Sequence, residues 1–144
     1  MTKNIYAAAR LSSGLTQERA AERLAISPRS LQDYECGIRR PCDEVLVRMV
    51  EVYNAQYLAL QHVREGLTVM QELIPDISSC GLCEATLQLL DAMFAFEEAK
   101  ADRKLVAITR DGQIDDCERA EFERIAPLLQ DVCRGVLAVM YGGR

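Results

Sequence analysis

Cys80-Gly81-Leu82-Cys83 is the first stretch whose residue types and spacing could do chemistry. A CxxC pair is half of a zinc site or a redox dithiol. Zinc needs four ligands, and no second CxxC or histidine pair stands at matching spacing. Cys36, Cys42, Cys117, Cys133 and His62 could complete a site only through tertiary proximity. No βαβ pattern flanks the pair, as a thioredoxin-like centre requires. The pair reads as inert thiols at a helix start, with Cys83 the more reactive because a helix N-terminus favours a thiolate. Asp111-Gly112-Gln113-Ile114-Asp115 with Glu118 echoes the second half of a calcium loop. Ala107 and Thr109 stand where the first half needs carboxylates, so a capped turn is the better reading. With one histidine, no nucleophile–base pair and no glycine-rich phosphate loop, catalysis has no starting point. No catalytic residue, metal or cofactor is expected.

The remaining chemistry is hydrogen bonding to a polar partner from one helix face. In Leu15–Gly37, LTQERAAERLAISPRSLQDYECG, two short helices flank a tight turn. Thr16 caps the first, which runs to Leu24 and buries Ala20, Ala21 and Leu24. Ser27 caps the second, Pro28 takes its first position, and Gly37 follows its end. Leu31, Tyr34 and Glu35 face inward, which leaves Arg29, Gln32 and Asp33 on the outer face. This is a helix-turn-helix pattern.

LTQERAAERLAISPRSLQDYECGIRRP resembles the lambda-repressor-like (Xre/Cro-type) helix-turn-helix. Arg10, Leu15-Thr16-Gln17, Ala21, Leu24, Ile26-Ser27, Leu31, Tyr34-Glu35, Gly37, Arg39 and Pro41 carry the likeness. The resemblance implies a five-helix DNA-binding domain in which Arg10 pairs with Glu35. Ala25 departs from it, where glycine is frequent; if φ is positive there, alanine costs about 1 kcal/mol. A narrower resemblance is to phage-associated regulators with a helical C-terminal extension. Several of those carry a cysteine in the turn after the fifth helix. HVREGLTVMQELIPDI has none, so no metal or redox role transfers to that turn.

Composition is compatible. The chain has 144 residues, 49% hydrophobic and 6% aromatic, enough for a packed core built mainly from aliphatic residues. No apolar run approaches a membrane span and no signal region opens the chain. A cytoplasmic, bacterial nucleoid-associated protein with reduced thiols is expected. The net charge of −5 is uneven. Residues 1–64 hold nine basic against seven acidic residues, and residues 65–144 eight against fifteen. A protein that binds DNA at one end and self-associates at the other has this distribution.

Taken in order, Asn4–Ser13 is a helix with Ile5, Ala8, Ala9 and Leu11 inward. Asp43 caps a helix over Glu44–Asn54, whose stripe is Val45, Leu46, Met49, Val50 and Tyr53. A fifth helix spans Gln56–Val63, with Leu58, Leu60 and Val63 inward. Residues 65–81 read as a short helix and linker. Leu82–Thr109 reads as one long helix with a heptad seam at Leu87, Leu90, Phe94, Ala101, Leu105 and Ile108, interrupted by Glu97. Asp115 and Glu118 form a capping box, and a last helix runs from Asp116 to Tyr141, where Gly142-Gly143 ends it. Its seam is Phe122, Ile125, Leu129, Val132, Val136 and Val139, and Pro127 should kink it. Leu89, Met93, Phe96, Leu128, Cys133, Leu137 and Met140 lie off these seams and call for a second surface.

The fold expected is all-α: a five-helix DNA-binding domain (1–64), a linker (65–81) and a helical hairpin (82–144). The function expected is a sequence-specific repressor of a phage or mobile-element promoter. DNA contacts are expected from Thr16, Gln17, Ser27, Pro28, Arg29, Gln32, Asp33, Arg39 and Arg40, on an inverted-repeat operator in double-stranded DNA. A homodimer is expected through Leu87, Leu90, Met93, Phe94, Phe122, Ile125, Leu129, Val132 and Val136. The alternative is a protein-interaction regulator or antitoxin whose hairpin captures a second protein.

Overall fold

The computed structural model describes residues 4–142. They fold into helices without a β-strand among the described residues, so the all-α expectation holds. Helix α1 (Ile5–Ser12) starts at Asn4, whose side chain accepts from the Tyr6 amide. Its inward residues are Ile5, Tyr6 and Ala9; Leu11, expected inside, is 48% exposed, because the buried stripe runs through positions 5, 6, 9 and 10 and position 11 falls beside it. Helices α2 (Gln17–Leu24) and α3 (Pro28–Glu35) are capped by Thr16 and Ser27 and bury Ala20, Ala21, Leu24, Leu31 and Tyr34, all as expected. Between them Ala25 has φ +53°, the left-handed conformation that the sequence placed under suspicion. Helix α4 (Asp43–Tyr53) begins one residue early: Cys42 is its cap position and Asp43 its first helical residue.

Helix α5 runs from Tyr57 to Gly66, three residues past the expected end. Tyr57 and Leu58 are its buried residues, while Val63 points outward. These five helices share one core, with Leu24, Leu31, Met49 and Leu58 fully enclosed.

The linker is not loose. A short helix α6 (Thr68–Leu73) leads into an extended strap over residues 74–81. Gln61 on α5 donates to the Ile77 carbonyl (2.6 Å) and Arg64 to the Ile74 carbonyl (3.0 Å). Ile77 is buried against Ala85 and Ala138, with Leu60 beside them, so the strap joins α5 to the base of the hairpin.

The expected long helix is two helices, α7 (Leu82–Glu98) and α8 (Ala101–Ile108), broken at Lys100 with φ +52°. No glycine or proline marks the break. Packing drives it: the turn lets Ala101 and Ile108 bury against Ile125 of α9 (Asp116–Leu137), with Leu105, Phe96, Phe122 and Leu128 around them. Lys104 also reaches Glu121 at 2.8 Å. The capping box of Asp115 and Glu118 is formed, and α9 continues through Pro127 into a π-helical turn, Ala138–Gly142. Gly143, expected to help end the helix, lies outside the described residues.

The hairpin seam on α7 is also corrected. Leu87 and Phe94 are 63% and 64% exposed, and Leu90 is exposed too. The inward stripe is Ala85, Leu89, Ala92, Phe96 and Ala99, a heptad in which alanine alternates with Leu89 and Phe96. Gly135 of α9 explains the choice. A Cβ there would lie 2.7 Å from the Leu89 Cα, so the two helices approach too closely for anything but glycine. Close approach favours the stripe with an alanine at every second position and leaves Leu87, Leu90 and Phe94 outward.

Candidate nucleic-acid interface

The N-termini of α2 and α3 lie side by side. Thr16 Oγ1 accepts from the Arg19 amide (3.3 Å), and Ser27 Oγ accepts from the Ser30 amide (3.0 Å). A cleft of about 560 Å³ opens between them, lined by Arg10, Thr16, Gln17, Glu18, Pro28, Arg29 and Gln32. Five of the nine expected DNA contacts are thus brought together. Helix N-termini carry partial positive charge and unpaired amides, which suit phosphate oxygens.

On α3, the Arg29 side chain is 78% exposed and its Nε lies 3.3 Å from Asp33. The pair holds the guanidinium over the outer face of the helix, beside exposed Gln32. The Asp33 side chain is only 15% exposed, so it anchors the arginine from the protein side while the guanidinium stands in the open.

Beneath this face Arg10 and Glu35 meet in two hydrogen bonds, 2.6 and 3.0 Å, and Arg10 also donates to the Leu15 carbonyl (2.7 Å). Glu35 accepts a third bond from Gln17 Nε2 (2.7 Å). The start of α2, the end of α3 and α1 are locked together at one carboxylate. The Gln17 side chain is therefore engaged inward, which leaves its backbone amide at the helix N-terminus. The Arg10 pKa is raised, chiefly by its hydrogen bond to Glu35. Tyr53 stands nearby with its hydroxyl buried and without a hydrogen-bond partner, and burial together with the Glu35 charge raises its pKa.

The two arginines after α3 diverge. Arg39 lies over the Tyr34 ring, 5.7 Å from its centroid, and is exposed. Arg40 donates to the His62 carbonyl on α5 (2.5 Å). His62 Nδ1 is 2.8 Å from the Tyr6 hydroxyl. Burial and then the Arg40 charge lower the His62 pKa, while burial raises that of Tyr6.

A second feature lies on the hairpin. Leu90, Met93, Phe94, Phe96, Leu129 and Val132 line an apolar groove of about 510 Å³, with Glu97 and Asp102 at its edge. Leu90, Met93, Phe94 and Leu129, expected at a dimer interface, thus share one exposed surface, and Leu87 and Val136 are also exposed. Phe122 and Ile125 turn into the hairpin's own core: Ile125 is 2% exposed and Phe122, half-buried, packs beside it. Glu97 was visible in the sequence as the one polar interruption of the apolar pattern. Asp102 carried no signal, because its place depends on the break at Lys100.

All six cysteines are free thiols. Cys80 is half-buried, and burial followed by the Glu84 charge raises its pKa; Cys83 is exposed. Among the described residues no three His, Cys, Asp or Glu side chains are grouped to hold a metal ion. Among them, too, no helix is long and apolar enough to cross a membrane.

No curated protein and no solved structure gives a match to the chain. Residues 7–63 match the family model of a helix-turn-helix domain, the span that holds α2, α3 and the cleft between them. A helix-turn-helix domain at that place supports a DNA-binding transcription regulator.

Proposed function

We propose that the protein is a sequence-specific repressor that acts as a homodimer on a phage or mobile-element promoter. The observation that carries the reading is the outer face of α3. Arg29 and Gln32 stand exposed on a helix whose other side is locked to the core through Leu31 and Glu35. In this reading α3 enters the major groove. Arg29 pairs with guanine O6 and N7, and Gln32 with adenine N6 and N7. Asp33 accepts from cytosine N4 or repels mismatched sites. Thr16, Gln17, Ser27 and Pro28, at the two helix N-termini, meet backbone phosphates, and Arg39 and Arg40 grip the strand beside the groove. Repression follows by occlusion of polymerase, with no chemistry. Two α3 helices about 34 Å apart match an inverted repeat, and the exposed apolar surface of the hairpin supports the second copy.

Selection of bound sites from a random double-stranded library by the full chain tests this. Enrichment of an inverted repeat is expected, with base preference altered in Arg29→Ala. Retention of all sequences alike would overturn sequence-specific binding.

A further inference from the structure

We propose that the hairpin groove is filled by α8 of a second copy of this chain, with Glu97 and Asp102 of one copy meeting Arg103 of the other. This rests on the dimer reading above and adds the face, the register and the ion pairs. The groove is apolar except for its two carboxylates, and neither has an ion-pair partner within the described chain. On α8, Lys104 is taken by Glu121, while Arg103 is exposed and unpaired. Val106, one turn on from Arg103 on the same side of α8, is 72% exposed. The chain thus carries both halves of one contact: an apolar groove edged with acid, and an outward apolar residue beside a base. The break at Lys100 sets the start of α8, with Asp102, at the edge of the groove, and a two-fold axis near that residue would bring Arg103 and Val106 of one copy onto the groove of the other. Phe94 then packs on Val106 of the second copy and Glu97 faces its Arg103, and in an isologous contact each pairing occurs twice.

The area is sufficient. Leu87, Leu90, Met93, Phe94, Val106 and Leu129 are all exposed in the single chain. Side chains of this size leave on the order of 600 Å² of apolar surface per copy, against the ~800 Å² per partner that a stable interface buries once its polar rim is included. Charge fixes the register, since a slide along the groove places like charges together.

Sedimentation equilibrium on the full chain tests the contact, with circular dichroism to check the fold. Glu97→Arg and Arg103→Glu are each expected to weaken the dimer roughly tenfold or more, and the double variant to recover part of that loss, since Asp102 still faces the reversed position 103. All these side chains are exposed, so helicity should be unchanged. Single variants that dimerise like the parent, or a double variant that does not recover, overturn this interface and leave the dimer itself standing. A folded parent chain that stays monomeric at tens of micromolar overturns the dimer too, and with it this assignment of the groove.

Discussion

Arg10 and Glu35, on α1 and α3, face each other as a two-bond pair with 10% and 5% of their side chains exposed. The pair that the resemblance implied is therefore formed, and it is enclosed. Removing one partner strands the other's charge. Arg10→Met or Glu35→Leu alone should cost about 3–5 kcal/mol, whereas the two together should recover much of the loss. Urea denaturation of the four proteins measures the cycle; additive losses would show that the pair is not coupled.

DNA contacts should separate by salt. Arg39→Ala is expected to weaken all sequences alike and to lower the salt slope by about one. Gln32→Ala should instead relax one base position by about 1–3 kcal/mol and leave the slope unchanged. Arg40 uses one donor on the His62 carbonyl and keeps four others for phosphate. Fluorescence anisotropy across a salt series distinguishes the two classes.

Gly135→Ala should destabilise the hairpin by about 1–3 kcal/mol, because the new methyl meets the Leu89 backbone at 2.7 Å. In an exposed helix interior the same change stabilises by about 1 kcal/mol. The sign of the shift in thermal midpoint is therefore diagnostic of the close crossing of α7 and α9.

Ala25→Gly should stabilise the N-terminal domain, by up to about 1 kcal/mol, since alanine there holds φ +53°. The gain is partly offset by the greater freedom of glycine in the unfolded chain. An unchanged or lower denaturation midpoint would show that the offset is complete.

Acid should weaken the fold through His62. Burial and Arg40 lower its pKa, with Asp43 opposing; Tyr6 and Glu65 are the other ionisable groups of the cluster. The unfolded chain takes up a proton near pH 6.5, before the folded chain does. Stability is thus full above that pH and falls as pH drops from there towards the folded pKa. The chain has one histidine, so His62→Gln should flatten the urea midpoint between pH 8 and that lower limit.

The N-terminal domain was legible because its signals are local and agree. Thr16, Ser27 and Pro28 sit at the caps and first turn they favour, and Ala21 and Leu31 have the sizes a close helix crossing demands. The hairpin misled because α7 carries two stripes at heptad spacing. Leu87, Leu90 and Phe94 are larger, yet Ala85, Ala92 and Ala99 face inward. The deciding residue, Gly135, lies on a different helix and acts only through the crossing. A glycine inside a helical pattern was the available sign. The break at Lys100 had none, since no residue there disfavours a helix and the packing of Ile108 on Ile125 outweighs local preference.

In the proposed dimer on an inverted repeat, the strap makes the protein a ruler. Ile77 and the bonds from Gln61 and Arg64 remove the swing that a loose linker would give each reading head. One base pair added between half-sites turns one about a tenth of a revolution round the duplex and shifts it by about 3.4 Å. A slack tether absorbs that at little cost; a strapped one must tear the strap or lose a head. Spacer length should then be policed as strictly as base identity, and loosening Ile77 should widen the spacings accepted without altering the bases preferred.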